Sequence, residues 1–205
     1  MCWNPEVSMS TFLFSTTAVM LAYSQGLITL PYLLFLMSFI SMQLIEFFLH
    51  ISRGSGALNT IFSIAGLATI AAQPFFAIQS MKDSDFAYKR ELTAVYLATM
   101  ILFVAYLRPE FRTVAGPHGH LVWKWLRWPL ATLLVWFGFF SFKFVIEKSW
   151  LLLTFLTLTA GVSYASYAAD GTWGSMWCWI ANIVGFVYFG QVGYKMITGR
   201  KPIQF

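Results

Sequence analysis

Long uninterrupted apolar segments constrain the fold of this chain more than any other feature of its sequence. Seven such segments are separated by short links rich in Gly, Ser, Pro and charged residues. Each segment is about as long as a helix that crosses the ~30 Å hydrocarbon core of a bilayer. The predicted spans are residues 9–25, 28–51, 57–80, 91–108, 125–146, 149–168 and 174–197.

The composition agrees with a helical membrane protein. Hydrophobic residues make up 59% of the chain and charged residues 10%, whereas soluble domains are about 45–50% apolar and ~25% charged. Strands of a membrane barrel would alternate polar and apolar residues, and these segments do not. The sequence therefore predicts an all-α integral membrane protein with seven transmembrane helices in one domain, residues 1–205. Its expected partners are the lipid bilayer and a small solute or ion, and no polybasic tail indicates a nucleic-acid partner.

The distribution of Lys and Arg predicts the orientation. The links after spans one, three and five, together with the C-terminal segment, contain eight cations: Lys82, Lys89, Arg90, Lys143, Lys148, Lys195, Arg200 and Lys201. The opposite side contains five: Arg53, Arg108, Arg112, Lys124 and Arg127. Because positive charge is enriched on the cytoplasmic side, the N-terminus is expected outside and the C-terminus in the cytoplasm.

Six tryptophans cluster at the predicted outer boundary. Amphipathic rings prefer the headgroup zone of a bilayer, so an interfacial aromatic belt is expected there. The segment LVWKWLRWP also places cations between the rings, which predicts that span five begins at the interface. The six residues are Trp123, Trp125, Trp128, Trp173, Trp177 and Trp179.

The sequence contains a hint of internal symmetry. Gln73 and Pro74 lie inside span three, and Gln191 lies inside span seven between Gly190 and Gly193. These segments lie at matching depth if spans one to three and five to seven are repeats. A three-plus-one-plus-three pseudo-repeat, as in sugar-transporter and PQ-loop proteins, is therefore one hypothesis. Ordinary helix packing around a proline kink is the other.

The run QLIEFFLH in span two places a carboxylate, Glu46, and an imidazole, His50, inside an apolar helix. At a spacing of four residues the two side chains share one helix face. The predicted topology brings the histidines of PHGH, His118 and His120, to the same outer end.

Three interpretations of Glu46 remain open. It can be a structural residue that pairs inside the bundle, which is the usual fate of ionisable groups in spans. It can belong to a proton- or cation-coupled path, whose other candidate residues are Asn59, Gln73, Asn182 and Gln191. It can instead be part of a zinc site with His50, His118 and His120, since mixed His and carboxylate ligands suit zinc.

The two cysteines, Cys2 and Cys178, meet at the outer end of the predicted topology. An extracytoplasmic compartment permits a disulfide between them. The alternative is that both remain thiols, because an even number of cysteines does not define a pairing.

Several short motifs carry a resemblance that covers most of the chain. They are the opening MCWNPEVS, IEFF in span two, QP in span three and GSMWCWIAN at the start of span seven. With these motifs the chain resembles small uncharacterised multi-span membrane proteins of large DNA viruses and unicellular algae. The resemblance implies a compact seven-span unit and implies no particular chemistry.

Three classes of function follow from the sequence. The first is a small-solute or ion transporter or channel, whose path passes Glu46, Asn59, Gln73, Asn182 and Gln191. The second is a membrane-embedded, metal-dependent enzyme with an outward-facing site of His50, His118 and His120. The third is a structural or receptor-like membrane protein whose polar groups only hold the bundle together.

Overall fold

The structure is a computed structural model, and it describes residues 4–53, 55–116, 119–178 and 180–200. The regular secondary structure of this part of the chain is α-helical, with one two-stranded hairpin and a short 3-10 helix, Lys124–Leu126. The α-helices are α1 (Pro5–Ser24), α2 (Leu30–Ile51), α3 (Gly56–Ser80), α4 (Lys89–Leu107), α5 (Leu130–Ile146), α6 (Trp150–Tyr167), α7 (Trp173–Trp177) and α8 (Ile180–Thr198). The strands are β1 (Thr113–Ala115) and β2 (Leu121–Trp123).

The described helices confirm the predicted all-helical fold class. Five helices, α1, α2, α3, α4 and α6, are long and apolar enough to cross a membrane, and so is the segment Trp173–Thr198, which includes α7 and α8. Helix α5 is also apolar but has 17 residues.

The prediction that span five begins at residue 125 was wrong. Residues 121–126 form strand β2 and the 3-10 helix, and α5 begins at Leu130, directly after Pro129. Proline disfavours the helical conformation of the residue before it. Trp128 therefore separates the 3-10 helix from α5. The polar and aromatic residues before Pro129 therefore do not extend α5.

Helix ends follow from local chemistry. Asn4 caps α1 by accepting a hydrogen bond from the Val7 amide at 2.8 Å, and Ser55 caps α3 by accepting one from the Leu58 amide at 3.4 Å. These side chains satisfy amides that have no partner within the first turn of a helix. Between α1 and α2 the chain turns through Gly26, whose φ of 64° favours glycine.

Helices α2 and α3 form the centre of the bundle. Helix α2 packs against α1 and α3, while α3 also packs against α4 and α5. Helix α1 lies between α2 and α8, and α6 packs against α5 and α7. Helices α1 and α8 approach closely at Gly185, where an added Cβ would lie 2.8 Å from the Ser15 hydroxyl oxygen. The small residue permits this approach.

Aromatic side chains fill the space between α2 and α5. Phe39 packs against Phe140 with ring centres 5.3 Å apart, and Trp136 stacks on Phe140 at 5.7 Å. Phe35 and Trp177 complete the cluster from α2 and α7. We call these five residues the aromatic layer. Offset and edge-to-face ring contacts of this kind add to the energy of apolar burial.

Pro74 leaves a carbonyl oxygen inside α3 without its helical donor, because proline has no N–H to give to residue 70. The Trp136 indole N–H of α5 donates to that Ile70 carbonyl at 3.1 Å. On the next residue, the Ala71 carbonyl accepts a hydrogen bond from the Tyr96 hydroxyl of α4. The proline therefore becomes the point at which α5 and α4 are joined to α3 by hydrogen bonds.

We expect Trp136→Phe to lower the free energy of unfolding by about 1–3 kcal/mol, since it leaves the buried Ile70 carbonyl unsatisfied. In a Pro74→Ala background the new amide supplies the helical hydrogen bond, so the same substitution should cost less. Both costs are measured by chemical unfolding in detergent as a double-mutant cycle. Loss of ring packing is common to both backgrounds, so equal costs would show that the hydrogen bond contributes nothing.

Candidate functional site

A hairpin covers one end of α3, at the predicted outer side of the bundle. Strands β1 and β2 are antiparallel, with Thr113 opposite Trp123 and Ala115 opposite Leu121. The turn is closed by a hydrogen bond from the Gly116 amide to the His120 carbonyl at 2.7 Å. Strand β1 contacts α3, and β2 contacts α7. The hairpin thus joins the centre of the bundle to its last helices.

Asn59 in the first turns of α3 holds this hairpin. Its side-chain amide donates to the Thr113 carbonyl at 3.0 Å, and its side-chain oxygen accepts from the Thr113 amide at 2.9 Å. Ser63 and the Trp125 indole N–H both contact the Thr113 hydroxyl, at 3.0 and 3.1 Å. Asn59 therefore takes the place of a neighbouring strand at the free edge of β1. This gives it a structural role, and its place on a transport path stays a prediction.

Most of the tryptophans around the hairpin are buried in the protein, so their rings do not face lipid as those of an aromatic belt would. Their place at the level of the headgroups stays a prediction, and Trp179 lies outside the described residues. Trp123, Trp125, Trp128 and Trp177 are all at least nine-tenths buried. The hairpin and the 3-10 helix fold back over α3, which turns their rings into the protein. Trp125 lies directly on Gly66, where a Cβ would come within 2.7 Å of the ring.

Glu46 belongs to a stripe of three buried polar residues on one face of α2. Gln43 and Glu46 are 0% exposed and His50 is 7% exposed, and their spacing of three and four residues places them on one side of the helix. Gln43 donates to the Cys178 carbonyl at 3.1 Å, so this face points to the junction of α7 and α8. Gln43 was missed by the sequence reasoning, although it lies one turn before Glu46.

Arg53 connects the outer end of this polar stripe to the hairpin. Its guanidinium contacts Nδ1 of His50 and donates a hydrogen bond to the Gly119 carbonyl at 3.1 Å. A guanidinium has only donors, so His50 accepts at Nδ1 and carries its proton on Nε2 in this arrangement.

The same face of α2 changes character along its length. Phe35 and Phe39, which belong to the aromatic layer, lie below Gln43 on the side that carries Glu46 and His50, as the helical repeat requires. Trp177 packs against Phe39 from the junction that Gln43 reaches. On this face the polar stripe therefore occupies the outer half of α2, and the aromatic layer packs against the inner half.

Helix α1 adds further buried polar groups to this half of the bundle. Ser8, Thr11 and Ser15 lie on one face of α1 and are at least nine-tenths buried. Helix α1 packs against α2, which carries the polar stripe, and against α8. Hydroxyl groups are therefore concentrated in the same outer half as Glu46.

The other amides on the predicted path lie at different places. Gln73 is buried near the middle of the bundle, where its amide donates to the Ser38 carbonyl of α2 at 3.4 Å. Asn182 and Gln191 are half-buried on α8 and are two and a half helical turns apart, which places them on opposite sides of the helix. The places of Asn182 and Gln191 on a path that Glu46 lines stay predictions.

The zinc and disulfide hypotheses depend on residues outside the described part of the chain. Within residues 4–53, 55–116, 119–178 and 180–200, no group of three or more His, Cys, Asp or Glu side chains is placed to hold a metal ion. His118 and Cys2 lie outside these ranges. Zinc binding by His50, His118 and His120, and a bridge between Cys2 and Cys178, therefore stay predictions.

At the opposite end of the bundle, Lys143 does not lie in a link as its counting for the orientation assumed. It is 2% exposed within α5 and forms an ion pair with Glu147. Its ammonium also lies 5.1 Å from the centre of the Tyr32 ring, a cation–π distance. If this ion-paired lysine is left out, seven cations remain on the predicted cytoplasmic side and five on the outer side. The predicted orientation is therefore unchanged, but the difference between the two sides is smaller.

The described part of the chain is helical, with six apolar segments long enough to be compatible with insertion into a membrane. Comparison with protein-family models, curated proteins and solved structures finds no match to this chain. The resemblance to viral and algal membrane proteins therefore stays a prediction, and any proposal about function rests on the geometry described above.

We expect Asn59→Ala to lower the free energy of unfolding by about 2–4 kcal/mol, because it leaves both polar groups of the buried Thr113 peptide unsatisfied. Hydrogen exchange at the Thr113 amide should become faster in the same variant. The matched control is Thr60→Ala, which removes an exposed hydroxyl that donates to the Gly56 carbonyl within its own helix. Unchanged hydrogen exchange at the Thr113 amide in the Asn59 variant would contradict the proposed role of Asn59 in holding the hairpin.

Proposed function

We propose that the chain is a seven-span membrane protein with its N-terminus outside and its C-terminus in the cytoplasm. Helix α5 supplies the seventh span. Its 17 residues extend about 26 Å at 1.5 Å per residue, slightly less than the hydrocarbon core. A short span of this kind is accommodated by local thinning of the bilayer or by flanking side chains.

This orientation predicts that a tag attached after Phe205 is protected from protease in sealed, right-side-out vesicles. The positive-inside bias is the reason, since the cationic links lie on the C-terminal side. Permeabilising the vesicles with detergent should expose the tag and serves as the control. Digestion of the tag in sealed vesicles would reverse the orientation and place the polar stripe near the cytoplasm.

We further propose that the protein transports a small solute or an ion, and that Glu46 lines its binding site. The observation that supports this is the division of one face of α2 into polar outer turns and aromatic inner turns. A buried carboxylate inside a span is costly, and such groups commonly mark ion and proton pathways. A solute that enters from outside would reach Gln43, Glu46 and His50, while the aromatic layer separates it from the other side.

Glu46→Gln keeps the shape and hydrogen-bonding capacity of the side chain but removes its charge. We expect it to abolish proton or alkali-cation flux in reconstituted vesicles while the free energy of unfolding stays within about 1 kcal/mol. Protons, Na⁺ and K⁺ are the probes, followed with a pH-sensitive dye and with ion-selective dyes. The control is Glu6→Gln, which removes the same charge from an exposed position at the same end of the bundle.

A second candidate function is purely structural, and one observation favours it. Gln43, Asn59 and Gln73 each donate a hydrogen bond to a backbone carbonyl of another element. If Glu46 has the same role, Glu46→Ala should unfold the protein and Glu46→Gln should change nothing. Normal flux through a well-folded Glu46→Gln protein would therefore exclude the coupling role and favour the structural one.

A further inference from the structure

A second polar feature lies away from Glu46, where the segment entering α5 meets the loop leaving α6. It is a cleft of about 510 Å³, within the range of roughly 300–1,000 Å³ that small-molecule sites occupy. One wall contains Trp123, Arg127 and Trp128, and the other contains Tyr164, Asp170 and Trp173.

The position of the cleft corresponds to the headgroup region of a bilayer. Helix α5 begins at Leu130 and α6 ends at Tyr167, so the cleft lies just beyond the ends of two neighbouring apolar helices. If these helices cross the membrane as proposed above, the polar headgroups of the outer leaflet lie at this level. Transport is not required for this placement, only insertion.

The cleft carries one charge of each sign. Arg127 lies on the wall that precedes α5, and Asp170 lies on the wall that follows α6. Both side chains are exposed, and within the described part of the chain neither forms an ion pair. A cation and an anion that line the same cleft without pairing with each other can both pair with a ligand that carries both charges.

Aromatic rings also line the cleft. Tyr164 and Trp173 meet edge to face with ring centres 5.7 Å apart, and Trp128 lines the opposite wall. Faces of Trp and Tyr attract ammonium groups, including quaternary ones. Trp123 also lines the cleft, and its indole N–H has no acceptor among the described residues, so one hydrogen-bond donor beside the cleft is unsatisfied.

We propose that this cleft binds the headgroup of a zwitterionic phospholipid. Arg127 pairs with the phosphate, and Asp170 together with the rings of Tyr164 and Trp173 holds the ammonium group. A purely anionic headgroup would leave Asp170 without a partner and would be repelled by it. A free inorganic anion would use Arg127 alone and would gain nothing from the aromatic wall.

The proposal is tested by titrating the detergent-purified protein with short-chain phosphatidylcholine and following its tryptophan fluorescence. We expect saturable binding that Arg127→Gln and Asp170→Asn each weaken about fivefold, the scale of an exposed charge pair. Both residues are exposed, so neither substitution disturbs the packing. The matched controls are Lys124→Gln, in the 3-10 helix just before Arg127, and Glu110→Gln, an exposed acid from the link before the hairpin, and both should bind as the unmodified protein does.

Three other ligands identify what the cleft recognises. Short-chain phosphatidylglycerol, which lacks the ammonium group, should bind at least fivefold more weakly than phosphatidylcholine. Equal binding of the two lipids, with no effect of Asp170→Asn, would overturn the zwitterion proposal in favour of a simple anion site. Equal binding of free phosphocholine would overturn the lipid as its source, and inorganic phosphate should not compete. These measurements do not involve flux, so their failure would leave the transport proposal unaffected.

Discussion

The outer half of this structure depends on one side-chain amide that replaces a missing strand. Asn59 forms hydrogen bonds with the backbone amide and carbonyl of Thr113, at the free edge of a three-residue strand. The Thr113 hydroxyl in turn forms hydrogen bonds with Ser63 and the Trp125 indole N–H. A hairpin this short is not stable by itself in water. Its attachment to α3 makes it a lid over the bundle, and the segment that follows it then forms one wall of the cleft before α5.

Helix α2 shows how one surface can carry two kinds of packing. Its outer turns present Gln43, Glu46 and His50, while its inner turns present the phenylalanines of the aromatic layer. Burying a charged or amide group requires a partner, and burying rings requires shape complementarity. The two requirements are met by different neighbours, the α7–α8 junction above and α5 below. One face of a continuous helix thus presents polar groups in its outer turns and packed rings in its inner turns.

The sequence predicts the long helices well because the length of an apolar run and its flanking Gly, Pro and Ser directly reflect helix bounds. Residues 30–51 and 56–80 illustrate this, since predicted and observed bounds differ by at most two residues. The hairpin could not be predicted in this way, because three-residue strands have too little periodicity and Thr113 is held by a partner 54 residues away. The burial of Trp125 follows from that same distant contact. The opposite placement of Asn182 and Gln191 was readable from helical periodicity. The cleft between Arg127 and Asp170 could not be predicted, because it forms where the segment before α5 meets the loop after α6.

Pro74 also has a consequence for the order in which the protein is assembled. The Ile70 carbonyl and its donor Trp136 are separated by 66 residues. At a synthesis rate of roughly 5–20 residues per second, α3 waits about 3–13 s before α5 has been made. During that interval α3 carries an incomplete backbone that favours an aqueous or polar environment over lipid. Its final seating in the bundle is therefore tied to the arrival of α5, and a chain truncated before Trp136 would retain a helix with an unsatisfied site at its centre.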